Sequence, residues 1–259
     1  MILDDIAAAT RNRIELKKTR MPLEQIERAA AGLGSRTAFP FEKALRTPGI
    51  SFICEVKKAS PSQGVISADY PYVKIAREYE AAGAHAISVL TEPQFFLGRD
   101  EHLAQVKDAV KVPVLRKDFI VDPYQIFEAK ILGAAAVLLL AALLNFETIR
   151  QYLSICDELG MSAVVEAHRE DEIDTALAAN ARVIGVNNRN LRDFTVDLDN
   201  SVRLRGLVPD KVLFIAESGI RTRADIEKLQ EANVNAVLIG ETLMRSPDRA
   251  QLLNNLKGL

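Results

Sequence analysis

Gly133-Ala134-Ala135-Ala136-Val137-Leu138-Leu139-Leu140 places a glycine directly before Ala136–Leu140, a run with no polar side chain. A strand that is apolar on both faces must be covered on both, as in a parallel sheet with helices packed over it. The same order recurs at Gly83-Ala84-His85 and at Gly160-Met161. Each glycine suits the left-handed residue that closes a helix just before the next strand. Working outward, aliphatic runs fall at Ile50–Val56, Ala86–Leu90, Val112–Leu115, Ala136–Leu140, Ala163–Val165, Val183–Val186, Val212–Ala216 and Ala236–Ile239, with helical patterns between them. Eight such β/α units, without Gly-x-Gly-x-x-Gly after the first strand, predict an α/β chain closed into a (β/α)8 TIM barrel, not an open doubly wound sheet.

Residues 1–49 precede the repeat. Ile2 to about Lys18 and Pro22 to Ala31 read as helices, with Pro22 suited to a helix start, and Phe41 to Leu45 reads as a further turn. They are expected to form a helical extension capping the barrel or its mouth. No Ser/Gly-rich linker separates them from residues 50–259, so 1–259 is read as one domain. The 259 residues match the length of one such barrel, roughly 250.

Apolar residues at 48% and charged residues at 26% can bury a core and keep a wet surface, which argues against disorder. A net charge of −2 gives no global attraction for nucleic acid or an anionic membrane, so any anion specificity must be local. The longest apolar stretch, Ala134 to Leu144, falls short of the roughly 20 residues that cross a bilayer. Met1-Ile2-Leu3-Asp4-Asp5 carries early acids and no basic lead into an apolar run, so no secretory signal is expected and the chain is read as cytoplasmic. Cys54 and Cys156 read as small core residues of a reducing compartment.

Barrel active sites form at the C-terminal ends of the strands, so charges there are the informative residues. Strand one ends Cys54-Glu55-Val56-Lys57, and the period of two sends Glu55 and Lys57 to one face. Strand three runs into Arg116-Lys117-Asp118, strand five into Glu166, strand six into Asn187-Asn188-Arg189 and strand seven into Glu217-Ser218. One lysine after a strand is ordinarily solvated surface. Five coincident strand ends instead predict a mouth in which Glu55, Glu166 and Glu217 surround Lys57 and Lys117, a setting that tunes proton affinity. Glu217-Ser218-Gly219-Ile220 and Ile239-Gly240-Glu241-Thr242 put glycines in the two loops where phosphate-binding barrels hold their anion. Lys58 to Val65, rich in Ser, Pro and Gly, suits a lid that brings Ser60 to a ligand. His85, His102 and His168 show no metal-ligand spacing, and His168 is read as a solvated residue just past strand five.

Six runs, in order, resemble the indole-3-glycerol-phosphate synthase family of tryptophan biosynthesis. They are Glu55-Val56-Lys57-Lys58-Ala59-Ser60-Pro61-Ser62, Phe95-Phe96-Leu97-Gly98, Leu115-Arg116-Lys117-Asp118-Phe119, Val186-Asn187-Asn188-Arg189-Asn190-Leu191, Ala216-Glu217-Ser218-Gly219-Ile220 and Leu238-Ile239-Gly240-Glu241. The resemblance covers essentially the whole chain. It implies a carboxy-lyase, free of metal and cofactor, acting on one small phosphorylated substrate, 1-(2-carboxyphenylamino)-1-deoxyribulose 5-phosphate. Lys117 would be the general acid, held in position by Glu55, with Lys57 and Glu166 serving a later dehydration in roles left undivided. Asn187, Arg189, Glu217 and Ser218 would hold the substrate, and Phe96, Phe119, Leu191 and Ile239 would wall its aromatic ring. Ser60, Gly219, Gly240 and the Glu241 backbone would face the phosphate, with the Glu241 side chain turned away, since a carboxylate repels a phosphate. A monomer is the expected state, with a homodimer as the alternative. The rival readings are an isomerase of the same phosphosugar class and a silent barrel that only binds a phosphorylated metabolite.

Overall fold

The computed structural model describes residues 2–35, 38–190 and 193–259. Eight parallel strands close into a barrel in chain order: β1 Ser51–Val56, β2 Ala86–Leu90, β3 Val114–Lys117, β4 Ala136–Leu140, β5 Ser162–Ala167, β6 Val183–Asn187, β7 Leu213–Glu217 and β8 Ala236–Ile239. Ser51 pairs with Ala236, which joins the last strand to the first. Gly83 and Gly133 adopt φ of 82° and 83° ahead of β2 and β4, the conformation their reading required.

Several strands run further toward the mouth than hydrophobicity alone suggested. β3, β5, β6 and β7 continue through Lys117, Glu166, Asn187 and Glu217. A ladder depends on backbone groups, so it persists past the last apolar residue where the following side chain points into the barrel and finds a partner. β3 also begins later than the Val112 run because Pro113 has no N–H to give the ladder. The register then sets the site in one layer. Leu90 lies beside Lys117, Leu140 beside Glu166 and Asn187 beside Glu217.

Inside the barrel, Ile53, Leu115, Val164, Val183, Ile215 and Leu238 form an apolar core, while Cys54, Val56, Val89, Val165 and Phe214 pack outward against the helices. Both cysteines are free and buried. The extension forms α1 Ile2–Arg20, α2 Leu23–Gly32, which starts just after Pro22, and α3 Pro40–Leu45. α3 closes the floor. Phe41 and Leu45 join the inner core, and Glu42 accepts from Ser162 and pairs with Arg182 at the strands' N-terminal ends. α1 lies at the other end, where Arg13 clamps both oxygens of Asp118, the residue after β3. The extension therefore reaches both ends of the barrel, not the mouth alone. No helix among the described residues is long and apolar enough to cross a membrane.

Candidate active site

The strand ends open on a cavity of about 390 Å³ at the C-terminal mouth. Every described residue assigned to the site from the sequence lines it: Glu55, Lys57, Ser60, Phe96, Lys117, Phe119, Glu166, Asn187, Arg189, Glu217, Ser218, Ile239, Gly219, Gly240 and Glu241. Leu191 lies outside the described residues. Ile2, Leu3 and Ile6 of α1 also line the cavity, as do Arg221 and Arg245. The apolar spacing at the start of α1 is a helix-face signal, but it does not say which barrel end that face covers.

Lys117 occupies the centre. Its ammonium lies 3.0 Å from Glu166 Oε2 and 3.2 Å from Glu217 Oε2. Glu55 is not its nearest partner, contrary to expectation; Glu55 Oε1 is 2.6 Å from Lys57 Nζ. Glu55 and Lys57 project from one strand to one face, so they meet locally, whereas Lys117 is reached from strands five and seven across the mouth. Burial disfavours the Lys117 charge, but Glu166, Glu217 and Glu55 outweigh it and hold the ammonium well above the usual lysine range. The two carboxylates part ways. Burial pushes Glu217 up, Glu166 adds to this, and Lys117 only partly opposes it. Burial acts on Glu166 in the same sense, yet Lys117 and then His168, with hydrogen bonds from Lys117 and Asn187, hold it below the usual carboxylate range. A charged lysine is thus flanked by one carboxylate that resists protonation and one that favours it.

Two glycines make room for these carboxylates. A Cβ at Gly240 would lie 2.3 Å from Glu55 Oε1, and one at Gly185, in mid β6, 2.3 Å from Glu217 Oε1. Gly185 carried no signal in the sequence beyond a missing side chain within a strand. Gly219 has φ of 84° after Ser218 at 67°, so consecutive left-handed residues turn the chain sharply beyond β7.

The remaining walls are built by local contacts. Glu92, buried after β2, accepts the backbone N–H groups of Gln94, Phe95 and Phe96 at 2.9, 2.6 and 2.9 Å. That loop carries Phe96 to a tilted contact with Phe119, ring centroids 5.8 Å apart. The Lys58–Val65 segment is an ordered hairpin, Ala59–Ser60 against Gly64–Val65, with Ser60 buried and Gln63 accepting from Arg245. Glu241 lines the cavity, and its carboxylate is held 3.2 Å from both Arg189 Nη2 and Arg245 Nε, so two guanidiniums offset its repulsion of an anion. His168 departs from expectation, being largely buried between Glu166 and Glu172. Among the described residues, no three His, Cys, Asp or Glu side chains are grouped to hold a metal ion.

A closed parallel barrel that converges two lysines and three glutamates on one cavity at its strand ends is a (β/α)8-barrel enzyme equipped for acid–base chemistry. Residues 3–256 match the profile described as indole-3-glycerol phosphate synthase. A protein so named from Ruminiclostridium cellulolyticum is 54% identical over 258 residues, spanning 100% of this chain and 99% of the relative. Another from Lachnoclostridium phytofermentans is 52% identical over 270 residues, spanning 100% of both. The chain belongs to the indole-3-glycerol phosphate synthase family. Among solved structures, 3-hexulose-6-phosphate synthase shares the barrel with a TM-score of 0.62 at 17% identity, over 81% of this chain and 99% of that one.

Proposed function

We propose that this cavity closes 1-(2-carboxyphenylamino)-1-deoxyribulose 5-phosphate to indole-3-glycerol phosphate, releasing carbon dioxide and water, with Lys117 as the acid. The observation that carries the assignment of roles is the Lys117 ammonium, clamped between Glu166 and Glu217 at the centre of the cavity. The aromatic carbon bearing the carboxylate attacks the ketone, and negative charge develops on the ketone oxygen. A buried ammonium stabilises that charge and donates its proton to the alkoxide, a far stronger base than either carboxylate. Loss of carbon dioxide restores the aromatic ring. The hydroxyl then leaves as water and a proton is removed to complete the indole.

Lys57, held by Glu55, suits protonation of the departing hydroxyl. Glu166, ionised and steadied by Asn187 at 3.2 Å, suits the proton removal. Phe96, Phe119 and Ile239, with Ile2, Leu3 and Ile6, offer an apolar wall for the aromatic ring. Ser60 and the Gly219 and Gly240 loops face the phosphate, with Arg189, Arg221 and Arg245 lining the same cavity. All of these groups are supplied by one chain, so one chain suffices to bind a small phosphorylated substrate.

The purified chain, with no metal or coenzyme added, should generate the fluorescence of indole-3-glycerol phosphate from this substrate, at a rate that excess chelator leaves unchanged. Lys117→Ala should lower kcat by about 10²–10⁴, the scale of a positioned acid. Absence of product rejects the reaction, chelator inhibition rejects a metal-free route, and a Lys117→Ala loss below about threefold rejects its role.

A further inference from the structure

Glu166 and Glu217 share one ammonium, but their other surroundings differ. Both Glu166 oxygens are engaged, Oε2 by Lys117 and Oε1 by the Asn187 amide. Glu217 Oε1 is buried without a hydrogen-bond partner. Beyond Glu166 Oε1, at 3.6 Å, lies His168 Nε2, itself a buried atom with no hydrogen bond. The other ring nitrogen, Nδ1, sits 3.5 Å from Glu172 Oε2, which also accepts the His168 backbone N–H at 2.6 Å. Glu172 is anchored in turn by Arg169 at 3.0 Å. His168 does not line the cavity; it stands in the wall behind Glu166.

Two carboxylates on one ammonium compete for the anionic state, and a further cation beside one of them settles the competition. We propose that His168, backed by Glu172, is a positioning residue that keeps Glu166 oriented and ionised, so that of the two carboxylates flanking Lys117 it is Glu166 that removes the proton. This rests on the assignment of Glu166 as the base. The charged groups facing the imidazole are Glu166 from β5, Glu172 from the following helix with Arg169 beyond it, and Glu217 from β7. The Asn200 amide donates to the His168 carbonyl from the loop side. Burial opposes charge on the ring, but the Glu172 contact and then Glu166 and Glu217 raise its proton affinity above the ordinary imidazole value. The ring therefore keeps its proton to higher pH than an ordinary imidazole and loses it as pH rises further.

The test is kcat and KM of His168→Gln across pH, with Glu172→Gln and Glu166→Gln in parallel. His168→Gln should lower kcat about tenfold near pH ~6, the effect of removing one opposite charge at this range. The gap should narrow as pH rises and the wild-type ring loses its proton. KM should stay within about twofold, because His168 is outside the cavity. Glu172→Gln should act in the same direction, less strongly, and it carries the comparison if His168→Gln does not fold. A loss independent of pH, a loss shared with KM and thermal stability, or no loss overturns the proposal. If Glu166→Gln keeps its activity, the assignment of the base fails; if Glu166→Gln collapses while His168→Gln shows no pH-dependent gap, only the role of His168 fails.

Discussion

Gly185→Ala tests whether the position of Glu217 matters to the chemistry without altering any charge. The added Cβ would lie 2.3 Å from Glu217 Oε1, about 1 Å inside van der Waals contact, with Val164 Cγ1 at 3.1 Å closing the other side. Gly185 is not a left-handed position, so alanine introduces no backbone strain of its own. The carboxylate is nearly solvent-free and cannot retreat into water, so it must swing, and its 3.2 Å contact with Lys117 lengthens. A displacement of about 1 Å at a reacting group costs on the order of 10² in rate. Overpacking should cost about 1–3 kcal/mol. For a domain of this size that lowers Tm by roughly 2–10 °C. Product fluorescence gives kcat, and a thermal melt gives the stability arm. In the double variant Gly185→Ala with Glu217→Asp, the shorter acid relieves the clash, so stability should recover while kcat does not. A Gly185→Ala enzyme with kcat within about threefold of wild type refutes the steric reasoning, since it means Glu217 tolerates displacement.

Two further outcomes follow from charges at the rim and under the mouth. Burial would raise the Asp118 carboxyl, but the Arg13 and Arg116 guanidiniums and the Thr91 hydroxyl hold it below its ordinary value. Its folded proton affinity is thus depressed, so its stabilisation is complete above the unfolded value of about 3.9 and is lost as pH falls through the folded value. Arg13→Met should therefore move the acid-unfolding midpoint to higher pH, and an unchanged midpoint in a pH titration of far-UV circular dichroism rejects the clamp. Glu241→Gln should lower KM about two- to fivefold by freeing Arg189 and Arg245 for the phosphate, the worth of a partly exposed ion pair. An unchanged or higher KM shows that the carboxylate does not compete with substrate.

Much of this site was legible before any coordinates, because local rules place its members. Strand parity put Glu55 and Lys57 on one face, and the β/α alternation put Lys117, Glu166, Asn187 and Glu217 at one end of one barrel. These need only a period of two and a known direction of the strands. The partners of Lys117 were not legible. Glu55 was matched to Lys117 from the family pattern, whereas the register across the barrel gives Lys117 to Glu166 and Glu217 and leaves Glu55 to Lys57.

The sequence by itself determined which residues reach the mouth, since that depends on hydrophobic periodicity along short segments. Only the tertiary structure decided what those residues do to one another. Gly185 and Gly240 matter because carboxylates from other strands occupy the space a Cβ would take. His168 looked like a solvated residue past a strand until the helix beginning at Glu170 and the side chain of Glu166 enclosed it. The start of α1 became cavity wall because Arg13 docks that helix on Asp118, just past β3, and Lys17 docks it on Asp100 and Glu128 of the two neighbouring helices. The glycine and α1 contacts join segments distant in the chain, set by barrel closure and stagger, and a local pattern carries no measure of that distance, while His168 is enclosed by near neighbours whose side-chain meeting the strand-to-helix turn decides.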